Sequence, residues 1–180
     1  MSSVTLDLET LSTEQNATIL TFGSVKFNPY TDIEPFAPMY YRLDVDEQLA
    51  SGRAVDENTL AWWSKQPAAI RDEAFAEDDR TPVAKFLDDL NRYFVGVGDI
   101  WAQGPIFDLV ILENLYKQNN RPIPWWYYQV SDSRTIFKLV GDPREKHKDV
   151  HHNALADAYA QAIGIQQICK HFNITEKITW

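Results

Sequence analysis

Two carboxylates set in an otherwise apolar, β-branched stretch constrain this chain more than any other feature. Asp7 and Glu9 lie within Val4-Thr5-Leu6-Asp7-Leu8-Glu9-Thr10. Read as a strand, this segment projects residues two apart onto the same face, so both acids share one side. Burying like charges together costs several kcal/mol unless a cation offsets them, and a divalent metal is the simplest such cation. The rest of the chain holds what a metal site would still need. Asp108 follows a Gly-Pro turn, and His152 with Asp157 opens a helix near the C-terminus.

The order of elements shows how such residues can meet. Val4 to Glu9 and Thr18 to Phe27 read as two strands joined by the polar turn Ser12 to Asn16, and Met39 to Leu43 as a third. The period then changes. Asp56 caps a helix that runs to Lys65 and ends at Pro67, and Thr81-Pro82 opens another with Val83, Phe86, Leu87, Leu90 and Phe94 at helical spacing. Asp99 to Ala102 reads as a fourth strand, followed by a helix from Ile106 to Gln118 with Pro105 in its first turn. Tyr127 to Val130 reads as a fifth strand, before a helix from Ser133 to Val140 capped by Asp132 and an exposed loop from Gly141 to Val150. Leu155, Ala158, Ala162, Ile165, Cys169 and Phe172 mark the last helix. This order favours a mixed α/β sheet with helices on its faces, in one domain spanning 1–180.

Composition narrows the class. Six Trp, eight Tyr and nine Phe argue for a folded protein, because disordered chains are poor in aromatics. No run is long enough for a membrane span and no signal-peptide pattern opens the chain, so a cytoplasmic protein is expected. Cys169 is the sole cysteine, expected as a small buried filler. A net charge of −9 argues against binding nucleic acid through a large basic surface. It leaves room for a nuclease, whose carboxylates are offset by metal and whose substrate is held by local basic groups and stacking aromatics.

Three motifs in order carry a resemblance. Leu6-Asp7-Leu8-Glu9-Thr10, Gly104-Pro105-Ile106-Phe107-Asp108 and His152-Asn153-Ala154-Leu155-Ala156-Asp157 together resemble the DEDD exonucleases, the DnaQ-like branch of the ribonuclease-H-type fold. A histidine five residues before the last aspartate resembles the DEDDh subgroup, and Trp62-Trp63 with Ser64-Lys65-Gln66 resembles a small phage and bacterial branch of exonucleases and exoribonucleases. Many relatives carry Asn where this chain has Gly104. The resemblance implies a ribonuclease-H-like mixed five-stranded sheet with helices on both faces. It further implies two Mg²⁺ or Mn²⁺ ions held by Asp7, Glu9, Asp108 and Asp157, with His152 as general base. The implied reaction is metal-dependent 3′-5′ hydrolysis of single-stranded RNA or DNA to 5′-mononucleotides.

Leu8, Thr10, Leu11, Trp63 and Phe107 are the candidate substrate-binding residues. Trp62 and Trp63 point about 100° apart on a helix, so both cannot be fully core; a core and helix-packing pair is the plainer reading, and the alternative sets one of them beside a groove to stack a base. His151 competes with His152 for the base role, and spacing favours His152. His147 is expected to be solvated, as is the Glu77-Asp78-Asp79 run. Asp108 and Asp157 have a plainer alternative as helix N-terminal carboxylates favoured by the macrodipole. Trp125-Trp126-Tyr127-Tyr128 reads as core or as a dimer contact, and both homodimer and monomer are compatible with the sequence. Two rival functions are a catalytically quiet scaffold of the same fold in replication or RNA processing, and an endonuclease of the wider ribonuclease-H-type class.

Overall fold

The computed structural model describes residues 2–146 and 152–177. Among these residues, β1 (Ser2–Thr10), β2 (Ile19–Phe27), β3 (Phe36–Arg42), β4 (Val97–Ala102) and β5 (Val130–Asp132) form one five-stranded sheet in the order β3-β2-β1-β4-β5. β1, β2 and β3 pair antiparallel, and β4 and β5 continue the sheet in parallel. The strand that carries both acids is therefore the central one.

Alternation along β1 sorts its side chains between two layers. Val4, Leu6 and Leu8 enter the larger core with Phe22, Ile100 and the apolar faces of α4 (Val83–Tyr93) and α5 (Pro105–Gln118). On the other face, α6 (Ser133–Val140) and α7 (Ala154–His171) close a second core around Val25, Phe27, Phe137, Ala162, Ile165 and Cys169. Helices thus cover both faces, and Cys169 is the buried filler expected. Thr5 Oγ1 donates to the carbonyl of Ala158 at 2.7 Å, which ties β1 directly to α7.

Gly23 explains how closely α7 approaches the sheet. It stands opposite Asp7 in the β1–β2 register, and a Cβ there would lie 2.1 Å from the carbonyl carbon of Ala154. Only glycine permits this contact between helix and strand backbones.

Some elements differ from the sequence reading. Tyr127–Gln129 is a 3₁₀ turn, and β5 starts only at Val130. The aromatic run imitates a strand, but Gln129 folds back to donate to the carbonyls of Val97 and Gly98. Tyr127 is exposed and Trp125 is core. Two short helices, α1 (Val45–Ala50) and α3 (Ala68–Ala74), flank α2 (Glu57–Trp63) and have no counterpart in that reading. Phe172 lies past the end of α7 and is half exposed. The Asp56 and Asp132 caps are present: Asp56 accepts the backbone N–H groups of Asn58 and Thr59, and Asp132 that of Arg134. Glu77, Asp78 and Asp79 are exposed as expected. His147 and His151 lie outside the described residues. Among the described residues, no helix is long and apolar enough to cross a membrane.

Candidate active site

The five motif residues line one cavity of about 320 Å³, entered by Asp7, Glu9, Asp108, His152 and Asp157 together with Leu8 and Phe107. Asp7 and Glu9 reach it from the α7 face of β1, Asp108 from the first turn of α5, and Asp157 from the first turn of α7. Asp7, Glu9 and Asp157 each offer an oxygen within 4.8 Å of the others. Asp108 stands outside that trio, on the same cavity wall, where its Oδ1 accepts the backbone N–H of Leu8 at 3.1 Å.

The electrostatics are those of carboxylates brought together with too little positive charge. Burial first, then Asp108, Glu9 and Asp157, raise the pKa of Asp7 well above the carboxylate range, with Arg144 opposing. Glu9 is pushed up to about 8 by burial and by Asp157, Asp108 and Glu73. Burial pushes Asp108 up to about 7, against the pull of the Leu8 and Asp108 backbone N–H groups and of Arg134. Hard oxygen donors at this density, unfavourable when ionised alone, are the donor set that Mg²⁺ and Mn²⁺ select, so the residues fit such ions.

His152 is placed by backbone geometry. Its φ of 72° is left-handed, a conformation in which histidine is enriched among non-glycine residues, and it turns the backbone N–H onto Asp157 Oδ2 at 2.8 Å. Asn153 then caps α7 by accepting the Ala156 N–H at 3.0 Å. The imidazole meets the edge of Trp62, with ring centroids 4.8 Å apart. Asn153 Nδ2 also reaches Glu73, which joins Tyr40 and Arg42 of β3 to the start of α7.

A second groove, of about 560 Å³, adjoins this cavity and shares Leu8, Glu9 and Phe107 with it. Thr10, Thr13, Asp56, Asn58, Thr59 and Trp62 complete its lining. Here two sequence assignments are corrected. Trp63 is 1% exposed, its Nε1–H donates to the Thr10 carbonyl at 2.9 Å, and it packs edge-on against Phe75. Trp62, 39% exposed, is the tryptophan that faces the groove. Leu11 also turns away. The β1–β2 register shifts at Glu9/Thr10, and Leu11 joins Leu20, Trp63 and Ala74 in a third core cluster beside a separate cavity. Leu8, Thr10 and Phe107 do line the groove.

Sequence reasoning missed Gln103, Arg134 and Arg144, which line the carboxylate cavity. No local pattern announces them. Arg134 meets the Gln103 carbonyl across 31 residues and Arg144 the Gln103 side chain across 41.

The chain matches a family model described as a 3'-5' exoribonuclease Rv2179c-like domain over residues 2–169. No curated protein matches it significantly. Among solved structures it resembles Exonuclease I from Methylocaldum szegediense, at 15% identity and a TM-score of 0.68, over 97% of this chain and 41% of that one. It also resembles the zinc-bound E. coli ExoI–ssDNA complex, at 14% identity and a TM-score of 0.70, over 94% of this chain and 40% of that one. A third likeness, at 13% identity and a TM-score of 0.65, is to the nuclease domain of 3'hExo, a DEDDh family member bound to rAMP, over 99% of this chain and 96% of that one. The chain spans about two fifths of the length of the Exonuclease I structures. At these identities the likeness establishes a shared ribonuclease-H-like fold.

Proposed function

Because the chain belongs to the family of Rv2179c-like 3'-5' exoribonuclease domains, we propose that it trims single-stranded nucleic acid from the 3′ end, one nucleotide at a time, with RNA as the favoured substrate. The observation that carries this reading is the trio of Asp7, Glu9 and Asp157 oxygens within 4.8 Å of one another, in a cavity that also takes in Asp108 and His152. Those four carboxylates would hold two divalent ions. When bound, such ions lower the pKa of water and offset charge on the departing 3′ oxygen.

The chain's own groups would do the remaining work. His152 accepts a proton as the water oxygen attacks phosphorus, and the bond from phosphorus to the 3′ oxygen of the preceding nucleotide breaks. The departing 3′ oxygen takes up a proton from solvent, and the products are a 5′-mononucleotide and a strand one residue shorter with a 3′-hydroxyl. The hydrogen bond from the His152 N–H to Asp157 fixes the base residue beside the acid. The terminal nucleoside occupies the larger groove, its base against Trp62 and Phe107, with Thr10, Asn58 and Thr59 offering polar groups to the sugar.

The test is digestion of matched 5′-labelled RNA and DNA oligonucleotides with Mg²⁺ or Mn²⁺, beside Asp7→Ala. A metal-dependent ladder shortening from the 3′ end, absent in the variant and stronger on RNA, is the expected result. Internal fragments would replace this reading with an endonuclease, and intact strands would replace it with a non-catalytic scaffold.

A further inference from the structure

Two arginines converge on one residue at the wall of the carboxylate cavity. Arg134 Nη2 donates to the Gln103 carbonyl at 2.6 Å, and Arg144 Nη1 donates to the Gln103 side chain. Arg144 is held on several sides. Its Nε and Nη2 grip Asp142 at 2.9 and 2.6 Å, and its guanidinium lies 4.4 Å from the centre of the Phe137 ring. Arg134 is exposed and makes no ion pair among the described residues. Its guanidinium rests against Gly104, where a Cβ would come within 3.1 Å of Nη2. Glycine at position 104, held at a φ of 108°, leaves room for this close approach.

The two cavities give this pair a direction. They share Leu8, Glu9 and Phe107, so a strand leaving the Trp62 groove crosses the carboxylates next. The arginines line only the cavity on the carboxylate side. Arg134 acts electrostatically on Asp108 and Arg144 on Asp7, whereas Glu9, which also borders the groove, is shifted only by burial and by other carboxylates. With the terminal nucleoside in the groove and the scissile phosphate over the acids, the sugar of the preceding nucleotide comes next, and the next charged group along the strand is the phosphate on that sugar's 5′ oxygen. Guanidinium forks match phosphate oxygens, and Arg134 and Arg144 keep unengaged N–H donors on this wall.

We infer that Arg134 and Arg144 form a subsite for the backbone phosphate immediately 5′ of the scissile one, on the part of the strand that stays behind. The inference rests on the exonuclease reading above and deepens it. It makes the protein a reader of at least two consecutive phosphates, so that the smallest good substrate carries a phosphate beyond the bond being cut.

The experiment compares wild type, Arg134→Gln and Arg144→Gln on a single-stranded oligonucleotide and on the nitrophenyl ester of a nucleoside 5′-monophosphate, which has a scissile ester and no phosphate beyond it. For each variant the expected kcat/KM loss on the oligonucleotide is at least tenfold greater than on the ester, with Arg134→Lys recovering part of it. A neutral methylphosphonate at that one linkage should weaken binding to wild type and erase the difference between wild type and Arg134→Gln. Binding is read by fluorescence anisotropy with Ca²⁺ present. Equal losses on both substrates, or indifference to the methylphosphonate, would overturn the inference and leave the arginines as counter-ions of the carboxylates. Wild type that cleaves neither substrate would sink the exonuclease reading, and the anisotropy comparison would still decide the phosphate subsite.

Discussion

Trp62 and Trp63 are adjacent in the chain and differ almost completely in environment. Trp63 sits at the centre of the small cluster that joins α2 and α3 to the end of β1, with its single donor satisfied by Thr10. Trp62 packs edge-on against Trp63, at 5.1 Å between centroids, and turns its remaining surface toward the groove and His152. Truncating the two should therefore give opposite phenotypes. Trp63→Ala removes a fully buried indole and strands a carbonyl, a loss of about 3–5 kcal/mol in stability. Trp62→Ala should leave Tm within a few degrees while weakening oligonucleotide binding by about 5- to 160-fold, the range for loss of one stacked base. Thermal denaturation alongside steady-state kinetics separates the two. A Trp62→Ala protein with unchanged KM and kcat would remove this side chain from the substrate groove.

At the scale of elements, the site exists because α7 comes down onto β1 and β2 until backbones touch. Gly23 is the contact that allows it, and Gly23→Ala would press a methyl into the peptide between Ala154 and Leu155. The helix start must then shift, carrying His152 and Asp157 away from Asp7 and Glu9. The expected outcome is a drop in stability of about 1–3 kcal/mol, the cost of overpacking, together with at least a tenfold fall in kcat. Thermal denaturation and single-turnover kinetics measure the two parts. Activity retained at a lowered Tm would mean that the helix and its two site residues move together with the strand.

Much of this architecture was legible in the sequence. β1, α4, α5, α6 and α7 announce themselves by period and by caps, and the carboxylates and His152 lie at ends of those same elements. What stayed hidden has physical causes. α1 and α3 are only six and seven residues long, too short for a hydrophobic period to show. Pro67, which reads in the sequence as the stop of one helix, stands past the end of α2 at Trp63 and opens α3 instead. Adjacent tryptophans cannot be told apart by composition, because the choice between core and groove depends on α3 and Phe75 packing behind one of them. Arg134 and Arg144 join the site only through contacts distant in the chain.

For the whole molecule, the cost of gathering these acids should appear in its stability. Glu9, raised to about 8, and Asp108, raised to about 7, hold protons in the folded state that the unfolded chain has already released above pH 5. The folded state therefore binds more protons between about pH 5 and 8, and stability of the metal-free protein falls as pH rises through that window. A net charge of −9 pushes in the same direction through general repulsion, but salt screens that contribution between exposed charges. A decline that persists at about 0.2 M salt belongs to the buried site. Divalent ions bound to the folded state alone should reverse it, with the largest gain in Tm near pH 8, where the ions no longer compete with protons. Glu9→Gln removes one of the titrating groups. It should raise metal-free Tm at pH 8, flatten the decline and shrink the gain from Mn²⁺. Melting curves from pH 5 to 9, in chelator and in Mn²⁺, measure all three. A metal-free Tm that climbs between pH 6 and 8 would mean that the carboxylates are already neutralised within the protein, and that the cavity is not built around cations it must acquire.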